Sequence, residues 1–286
     1  MNRRTAIVSR RLVYLAFSLW ACIPSLAQAQ TPSPLEEWQY SSGIVLEKMF
    51  KPDIPEWRVL LGLGAEDRPL YDGAERTKIA GGPVINVRYR DTWFASVGEG
   101  IGVNVLHGDN YRAGVLLGYD LGRQVSEDYT HLHGLGDIGR APVVKVFASY
   151  AVSKEFPLVL RGDVRQIVGG ADGLEADLGA YMPLPGSSEK LIMFAGPSVT
   201  YADHRYMQKE FGVTPAQSQA SGYPIYDARA GSNAAGVGFS ATRFLTPHWL
   251  INLDTAVNRL SGSARDSPIT QKTVQPVLAL SFAYSW

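Results

Sequence analysis

Five charged side chains in the middle of the chain have the types and spacing of a polar lining between two paired strands. Arg161, Asp163 and Arg165 alternate along one segment, and Glu175 and Asp177 alternate along the next. Neighbouring strands lie about 4.8 Å apart, so opposite charges at facing positions can pair. Two interpretations stay open: the pairs hold the strands together, or they form a constriction that selects solutes by charge. Lys145 on the preceding predicted strand and Arg88 on a much earlier one complete this predicted charge cluster.

A second group of residues has side chains that bind metals. His131 and His133 lie two residues apart, with Asp128 and Asp137 nearby. A histidine pair in a loop, without a further ligand at a fixed spacing, falls short of a zinc-site signature. We therefore predict no metal site here.

Catalytic signatures are equally weak. His204 could act as a base only if the fold brought it to Ser198 or Ser218, and the chain has no Gly-x-Ser-x-Gly elbow. The glycines between Gly98 and Gly102 have the wrong spacing for a dinucleotide fingerprint. We predict neither an enzyme nor a cofactor.

Length and composition narrow the fold class. The chain has 286 residues, of which 45% are hydrophobic and 19% charged, and it contains 29 glycines. These values exclude a disordered or collagen-like chain. After the N-terminus, no apolar run reaches the roughly 18 residues that a spanning helix needs. Without the first 29 residues the chain has 23 basic and 27 acidic groups, so nothing indicates a nucleic-acid partner.

The N-terminus has the pattern of a secretory signal peptide. Four arginines precede an apolar run from Leu12 to Leu26, and Ala27 to Ala29 provides a small-x-small cleavage site. We predict a signal peptide over residues 1–29 and a mature chain that begins at Gln30. A twin-arginine signal and a lipoprotein signal at Cys22 are weaker alternatives. Cleavage after Ala29 would remove the only cysteine and exclude disulfides.

Residues 274–286 show best the alternation that dominates from Trp57 onward. Even-numbered residues there are bulky and apolar, and odd-numbered ones are mostly small or polar. Because side chains alternate between the faces of a strand, this predicts a strand with one apolar face. A closing strand of this kind, ending on an aromatic residue, resembles the signal that the outer-membrane assembly machinery recognises; the alternative is an ordinary amphipathic last strand. We assign the predicted assembly signal to Phe282, Tyr284 and Trp286.

Connection lengths favour a membrane barrel over a soluble sandwich, since short links alternate with long ones, chiefly 122–140 and 204–233. Outer-membrane barrels have short periplasmic turns, long outer loops, a lipid-facing apolar surface and a polar lumen. We therefore predict an all-β fold, an antiparallel transmembrane β-barrel of about twelve strands. Ten is the alternative if the segments around Gly98 to Gly100 form one bent strand. The predicted strands lie near 57–65, 81–90, 92–98, 101–107, 111–121, 141–152, 157–169, 173–184, 189–203, 234–246, 248–260 and 274–286.

Three domains follow from this reading. Residues 1–29 are the signal peptide, 30–56 a proline-bearing periplasmic lead-in, and 57–286 the barrel. The predicted location is the outer membrane of a Gram-negative bacterium, in contact with its lipid.

Several loop motifs resemble the MipA/OmpV family of outer-membrane proteins. The most specific is Phe211-Gly-Val-Thr-Pro-Ala-Gln-Ser218, which follows Asp203-His-Arg-Tyr-Met207; others are Pro69-Leu-Tyr-Asp-Gly73, Tyr119-Asp-Leu-Gly-Arg123 and Ser267-Pro-Ile269. The resemblance covers nearly all of the mature chain. It implies a scaffold that links a lytic transglycosylase (a murein hydrolase) to a peptidoglycan synthase, while other members resemble small pores or adhesins. A scaffold would use the lead-in and the short turns, a pore the charge cluster, and an adhesin the two long loops.

Overall fold

A computed structural model describes residues 55–153 and 156–286. The predicted signal peptide and nearly all of the predicted lead-in lie outside the described residues. Within the described ranges, twelve antiparallel strands form one closed barrel in which sequence neighbours pair and β1 pairs with β12. The strands are β1 (Trp57–Pro69), β2 (Thr77–Tyr89), β3 (Trp93–Ser96), β4 (Gly100–His107), β5 (Tyr111–Asp120), β6 (Ala141–Ala151), β7 (Val159–Ile167), β8 (Leu174–Pro183), β9 (Leu191–Ala202), β10 (Gly231–Phe244), β11 (Trp249–Leu260) and β12 (Val274–Ser285).

The predicted twelve-stranded, all-β barrel is confirmed, and the ten-strand alternative is wrong. The residues around Gly98 form a turn between two separate strands, of which β3 has only four residues. The predicted and observed strand bounds differ most for β1 and β2, each of which is 13 residues long. They extend further than predicted because their pairing continues to the facing residues Pro69 and Thr77.

The two faces of the barrel wall differ in polarity. Bulky apolar side chains point outward; Leu63 is 72% exposed and Ile79 is 79% exposed. Large exposed apolar side chains are costly in water, so this surface suits the hydrocarbon layer of a membrane. On β11, Asn252 and Asp254 point inward and are buried, as their alternation with Trp249 and Ile251 predicts.

The connections differ sharply between the two ends of the barrel. At one end they are links of three to seven residues, for example 90–92, in which Arg90 and Asp91 have positive φ. At the other end four connections of 7 to 28 residues, 70–76, 121–140, 203–230 and 261–273, fold together; we call them the loop lid. No helix of the described residues is long and apolar enough to cross a membrane. The lid contains four short helices: α1 (Tyr129–Leu132), α2 (His204–Phe211), α3 (Pro215–Ser221) and α4 (Gly262–Arg265).

Apolar contacts hold the loop lid over its end of the barrel. Met207 and Phe211 of α2 are fully buried, in one cluster with Ile138 of the 121–140 loop and Leu260 of β11. Capping side chains fix the N-terminal ends of two lid helices. At α2, Asp203 accepts a hydrogen bond from the Tyr206 N–H, and at α3, Thr214 and Gln217 form a capping box. The motifs that carry the family resemblance therefore build the lid.

The short-turn end is closed from the inside by apolar side chains. They point into the lumen from the ends of six strands and are at most 4% exposed. Two clusters, bridged by Phe244 of β10, contain them. We call this set the apolar plug; it consists of Leu60, Val159, Tyr181, Ile192, Phe194, Leu250 and Ala283.

Candidate functional site

The charge cluster lies inside the lumen, between the apolar plug and the loop lid. Strands β7 and β8 place Arg165 opposite Glu175 and Asp163 opposite Asp177, and β6 places Lys145 opposite Arg165. All of them point inward, and their side chains are at most 12% exposed. The facing positions on a tight β7–β8 hairpin explain why sequence spacing alone could group these side chains.

Arg165 is the centre of the cluster. Its Nε donates to Glu175 Oε2 over 2.9 Å, and its Nη1 donates to Asp177 Oδ2 over 2.6 Å. Asn233 of β10 donates to Glu175, and the Thr200 hydroxyl donates to Asp177. Buried carboxylates with several charge-assisted hydrogen bonds are strongly positioned. The guanidinium therefore joins the neighbouring strands β7 and β8, and the hydrogen bonds from Thr200 and Asn233 extend the network to β9 and β10.

The next pairs toward the plug are looser. Lys145 Nζ lies 3.9 Å from Asp163 Oδ1, and Arg161 lies 3.9 Å from Asp163 Oδ2. Arg161 also reaches Glu99, in the β3–β4 turn, at 3.8 Å. Glu99 comes from a distant stretch of the chain and was missing from the predicted cluster. Only the closure of the barrel brings it to β7.

Arg88 lies apart from the other predicted charges, near the short-turn end. Its Nη1 donates to Asp91 Oδ1 over 2.9 Å, and Arg112 of β5 donates from Nε to Asp91 Oδ2 over 3.1 Å. Neither Asp91 nor Arg112 belonged to the predicted charge cluster. The inward alternation of Arg112 with Gly114 and Leu116 was a usable signal, but the position of Asp91 depends on the turn's positive φ.

A cavity of about 180 Å³ lies between the charge cluster and the loop lid; we call it the upper cavity. Arg123 and Glu210 of the lid meet there, with Arg123 Nη1 3.6 Å from Glu210 Oε2. Burial raises the pKa of Glu210 to about 8, although Arg123 opposes the shift. Burial also raises the pKa of Asp72, and the neighbouring Arg165 opposes it. The upper cavity is thus a polar space that its own lid covers.

The histidines and serines considered as metal ligands or catalytic groups contact other residues and not one another. His131 Nδ1 lies 2.9 Å from Asp128, and in the described ranges no group of three or more His, Cys, Asp or Glu side chains could hold a metal. His204 Nδ1 contacts the Ala228 carbonyl, while the Ser218 hydroxyl donates to the Tyr223 carbonyl. In the described ranges, neither Ser198 nor Ser218 bonds His204.

The aromatic side chains of β12 lie on the outer face at the short-turn end. Trp249 of β11 stacks on Phe282 with ring centroids 4.7 Å apart and meets Tyr284 edge-on at 5.0 Å. Tyr284 in turn lies 4.5 Å from Trp286. The three residues of the predicted assembly signal thus belong to one aromatic cluster, at the level where interfacial aromatics occur in barrels.

Solved structures with a related architecture are outer-membrane channels. The porin NanC is 9% identical, covers 78% of this chain and 98% of its own, with a TM-score of 0.44. The CymD monoaromatic hydrocarbon channel is 10% identical over 86% of this chain and 94% of its own, with a TM-score of 0.40. The COG4313 channel from Pseudomonas putida F1 is 8% identical over 82% and 97%, with a TM-score of 0.39. We draw no conclusion about function from likenesses at this level.

The family is identified from the sequence. Comparison with curated proteins found no match. The profile of MltA-interacting protein MipA, in contrast, matches residues 61–286, which span the barrel from β1 to the last residue of the chain. With an apolar outer surface and a polar lumen, this closed barrel is an outer-membrane protein of a Gram-negative bacterium. The chain belongs to the MltA-interacting protein MipA family.

Proposed function

We propose that this barrel is a closed outer-membrane platform that holds peptidoglycan-remodelling enzymes on its periplasmic side. The partners are a lytic transglycosylase and a peptidoglycan synthase. The family's description, which names an interaction with MltA, supports the first partner. The single structural observation that favours a platform over a pore is the apolar plug.

The apolar plug opposes conduction for a physical reason. Tyr181, Phe194 and Leu250 fill the lumen at the periplasmic end and are at most 1% exposed. Water and ions enter an apolar constriction of this kind only at a high free-energy cost, so such a constriction closes a channel. The polar cavity above it then communicates with the outer side of the barrel and not with the periplasm.

The lead-in is the part of the chain that we assign to partner binding. The periplasmic turns of the barrel are short; the link between β2 and β3, for example, contains only residues 90–92. A stable interface buries about 800 Å² on each partner, which such turns do not offer by themselves. Residues 30–56 precede β1 in the chain, and we assign the missing surface to them.

Deleting Gln30 to Phe50 should therefore abolish capture of a purified lytic transglycosylase by the immobilised protein, while the barrel still folds. Heat-modifiable migration of the barrel in gels serves as the folding control. Deleting Gly134 to Gly136 from the outer loop lid is the matched control and should leave capture intact. Undiminished capture after the first deletion would refute the assignment to the lead-in.

A small-solute channel is the second candidate, because charged side chains line the lumen above the plug. Single-channel recording in planar bilayers separates the two. We expect the native barrel to be silent, whereas Tyr181→Ala combined with Phe194→Ala should open a conducting path through the emptied plug. Phe147→Ala, which empties a lumen position outside the plug, is the control and should stay silent. Steady conductance of the native protein whose ion selectivity changes in Arg165→Gln would make the channel the better description.

A further inference from the structure

The barrel wall is lower at β3 and β4 than elsewhere. β2 has 13 residues, but it pairs with β3 only from Asn86 to Tyr89. The chain then turns back at 97–99 into β4, so in the described ranges the lid half of β2, 77–84, has no partner strand on that side. The next strand of the wall that reaches the lid is β5, which ends at Asp120. We call this gap between β2 and β5 the wall notch.

The wall notch lies at the level of the outer leaflet. β3 and β4 fill the periplasmic part of the wall, so the notch begins above them. The residues of β2 beside the notch, 77–84, correspond to a height of about 20 Å, at about 3.4 Å per residue and a tilt of about 40°. β2 and β5 are separated by three strand spacings, which is about 14 Å. The strands on the two sides of the notch are therefore too far apart to pair with each other.

Specific contacts frame the wall notch below and above. Below it, the Val97 N–H donates to the Ile85 carbonyl over 3.1 Å, and the Tyr119 hydroxyl of β5 donates to the Val97 carbonyl. Above it, Lys78 of β2 forms an ion pair with Glu127, in the lid connection that follows β5. The notch is thus a bounded opening in the wall and not a frayed end of the barrel.

The edge of β2 that faces the wall notch has unpaired backbone groups. Ile85 directs its carbonyl to β3, and this direction repeats at every second residue. Ile79, Gly81 and Pro83 therefore face the notch, and among the described residues nothing bonds their backbone on that side. Pro83 has no N–H to leave unpaired, which is typical of edge strands. Unpaired backbone at membrane depth is tolerated where it lines a water-filled space, which favours a hydrated notch.

The lumen behind the wall notch leads to the upper cavity. Ala80 and Gly82 of β2 point inward beside the notch and remain partly exposed. Residues on both sides of the notch line the upper cavity: Glu66 and Arg68 on β1, and Asp120 on β5. A molecule that passes the notch therefore reaches a polar space.

We propose that the wall notch is a lateral portal, through which amphipathic molecules dissolved in the outer leaflet reach the upper cavity. A hydrocarbon chain fits the outward apolar surface beside the notch, where Ile79 is exposed, and a polar head group fits the hydrated strand edge and the lumen. The loop lid covers the cavity from outside, and the apolar plug closes the barrel below it. The portal does not depend on the platform function, which uses the periplasmic side.

Fluorescence quenching by brominated lipid tests the portal in the full barrel refolded into vesicles. The only cysteine, Cys22, lies in the predicted signal peptide, so Ala80→Cys introduces a unique thiol for a bimane label. Ala234→Cys is the matched control, because Ala234 also points inward three residues from the lid end of its strand, but β9 and β11 pair with β10 on both sides of it. We expect phospholipid with brominated chains to quench the Ala80 label more strongly than the Ala234 label, by about twofold or more, since lipid does not pass a paired wall.

A small amphipathic quencher tests passage into the upper cavity. Bromododecanol should quench the Ala234 label as well, because Ala234 lines that cavity. Gly81→Leu narrows the notch and should lower this quenching; a Cβ at Gly81 meets the Gly64 carbonyl oxygen at an ordinary 3.6 Å, so the barrel can accept it. Heat-modifiable migration verifies the fold of each labelled variant. Equal quenching of the two labels by brominated phospholipid, or no quenching of the Ala234 label by bromododecanol, would overturn the proposal.

Discussion

Replacing Arg165 by Gln should lower the free energy of unfolding by about 3 kcal/mol, because it leaves buried carboxylates without their cation. Arg165 is the donor to both Glu175 and Asp177, at 2.9 and 2.6 Å. Removing one partner of a buried pair costs more than the pair contributes, since the remaining charge keeps its desolvation penalty. Urea unfolding of the protein in lipid vesicles, followed by tryptophan fluorescence, measures the change.

Arg90 provides the matched control for Arg165. It also pairs with an acid, Glu56, but both side chains are more than half exposed. Water already solvates both charges, so Arg90→Gln should leave the unfolding midpoint unchanged. A double variant, Arg165→Gln with Glu175→Gln, should recover part of the stability by removing one unpaired charge. If Arg165→Gln unfolds at the native urea concentration, the charge cluster does not hold the barrel together.

Replacing Phe282, Tyr284 and Trp286 together by Ala should remove most of the protein from the outer membrane. These side chains form one aromatic cluster with Trp249 on the outer face, at the seam where β12 pairs with β1. We assign this cluster to recognition by the assembly machinery and to anchoring at the membrane interface. Immunoblots of separated membrane fractions give the amount assembled.

The control for the aromatic cluster lies on the same strand and face. Val274, Leu278 and Leu280 also point outward, with 40 to 54% of their surface exposed, but nearer the lid. Replacing these three by Ala removes apolar surface from the same outer face without touching the cluster, and assembly should persist. Equal losses in both triple variants would attribute the effect to apolar area and refute a signal carried by the three aromatic residues.

The strand pattern made most of the barrel predictable. On β11 and β12, alternation of bulky apolar with small or polar residues assigned each side chain to the lipid or the lumen, and the twelve strands follow that assignment. Alternation is a local property of an extended chain, so it can be recognised without knowing which strands pair. The end of β1 near the lid was less predictable, because the pairing of β1 with β2 continues there through polar residues such as Glu66 and Arg68.

Side-chain contacts in the lumen were predictable only between the two strands of one hairpin. Arg165 and Glu175 face each other across a hairpin, so their spacing could group them. In contrast, Glu99 reaches Arg161, and Arg112 reaches Asp91, through contacts that depend on how the barrel closes and how a turn is bent. The sequence by itself determined the strands, their two faces and the family. Only the tertiary structure decided what fills the lumen, since the apolar plug, the charge pairs and Asp72 in the upper cavity depend on the stagger between strands and on loops folding inward.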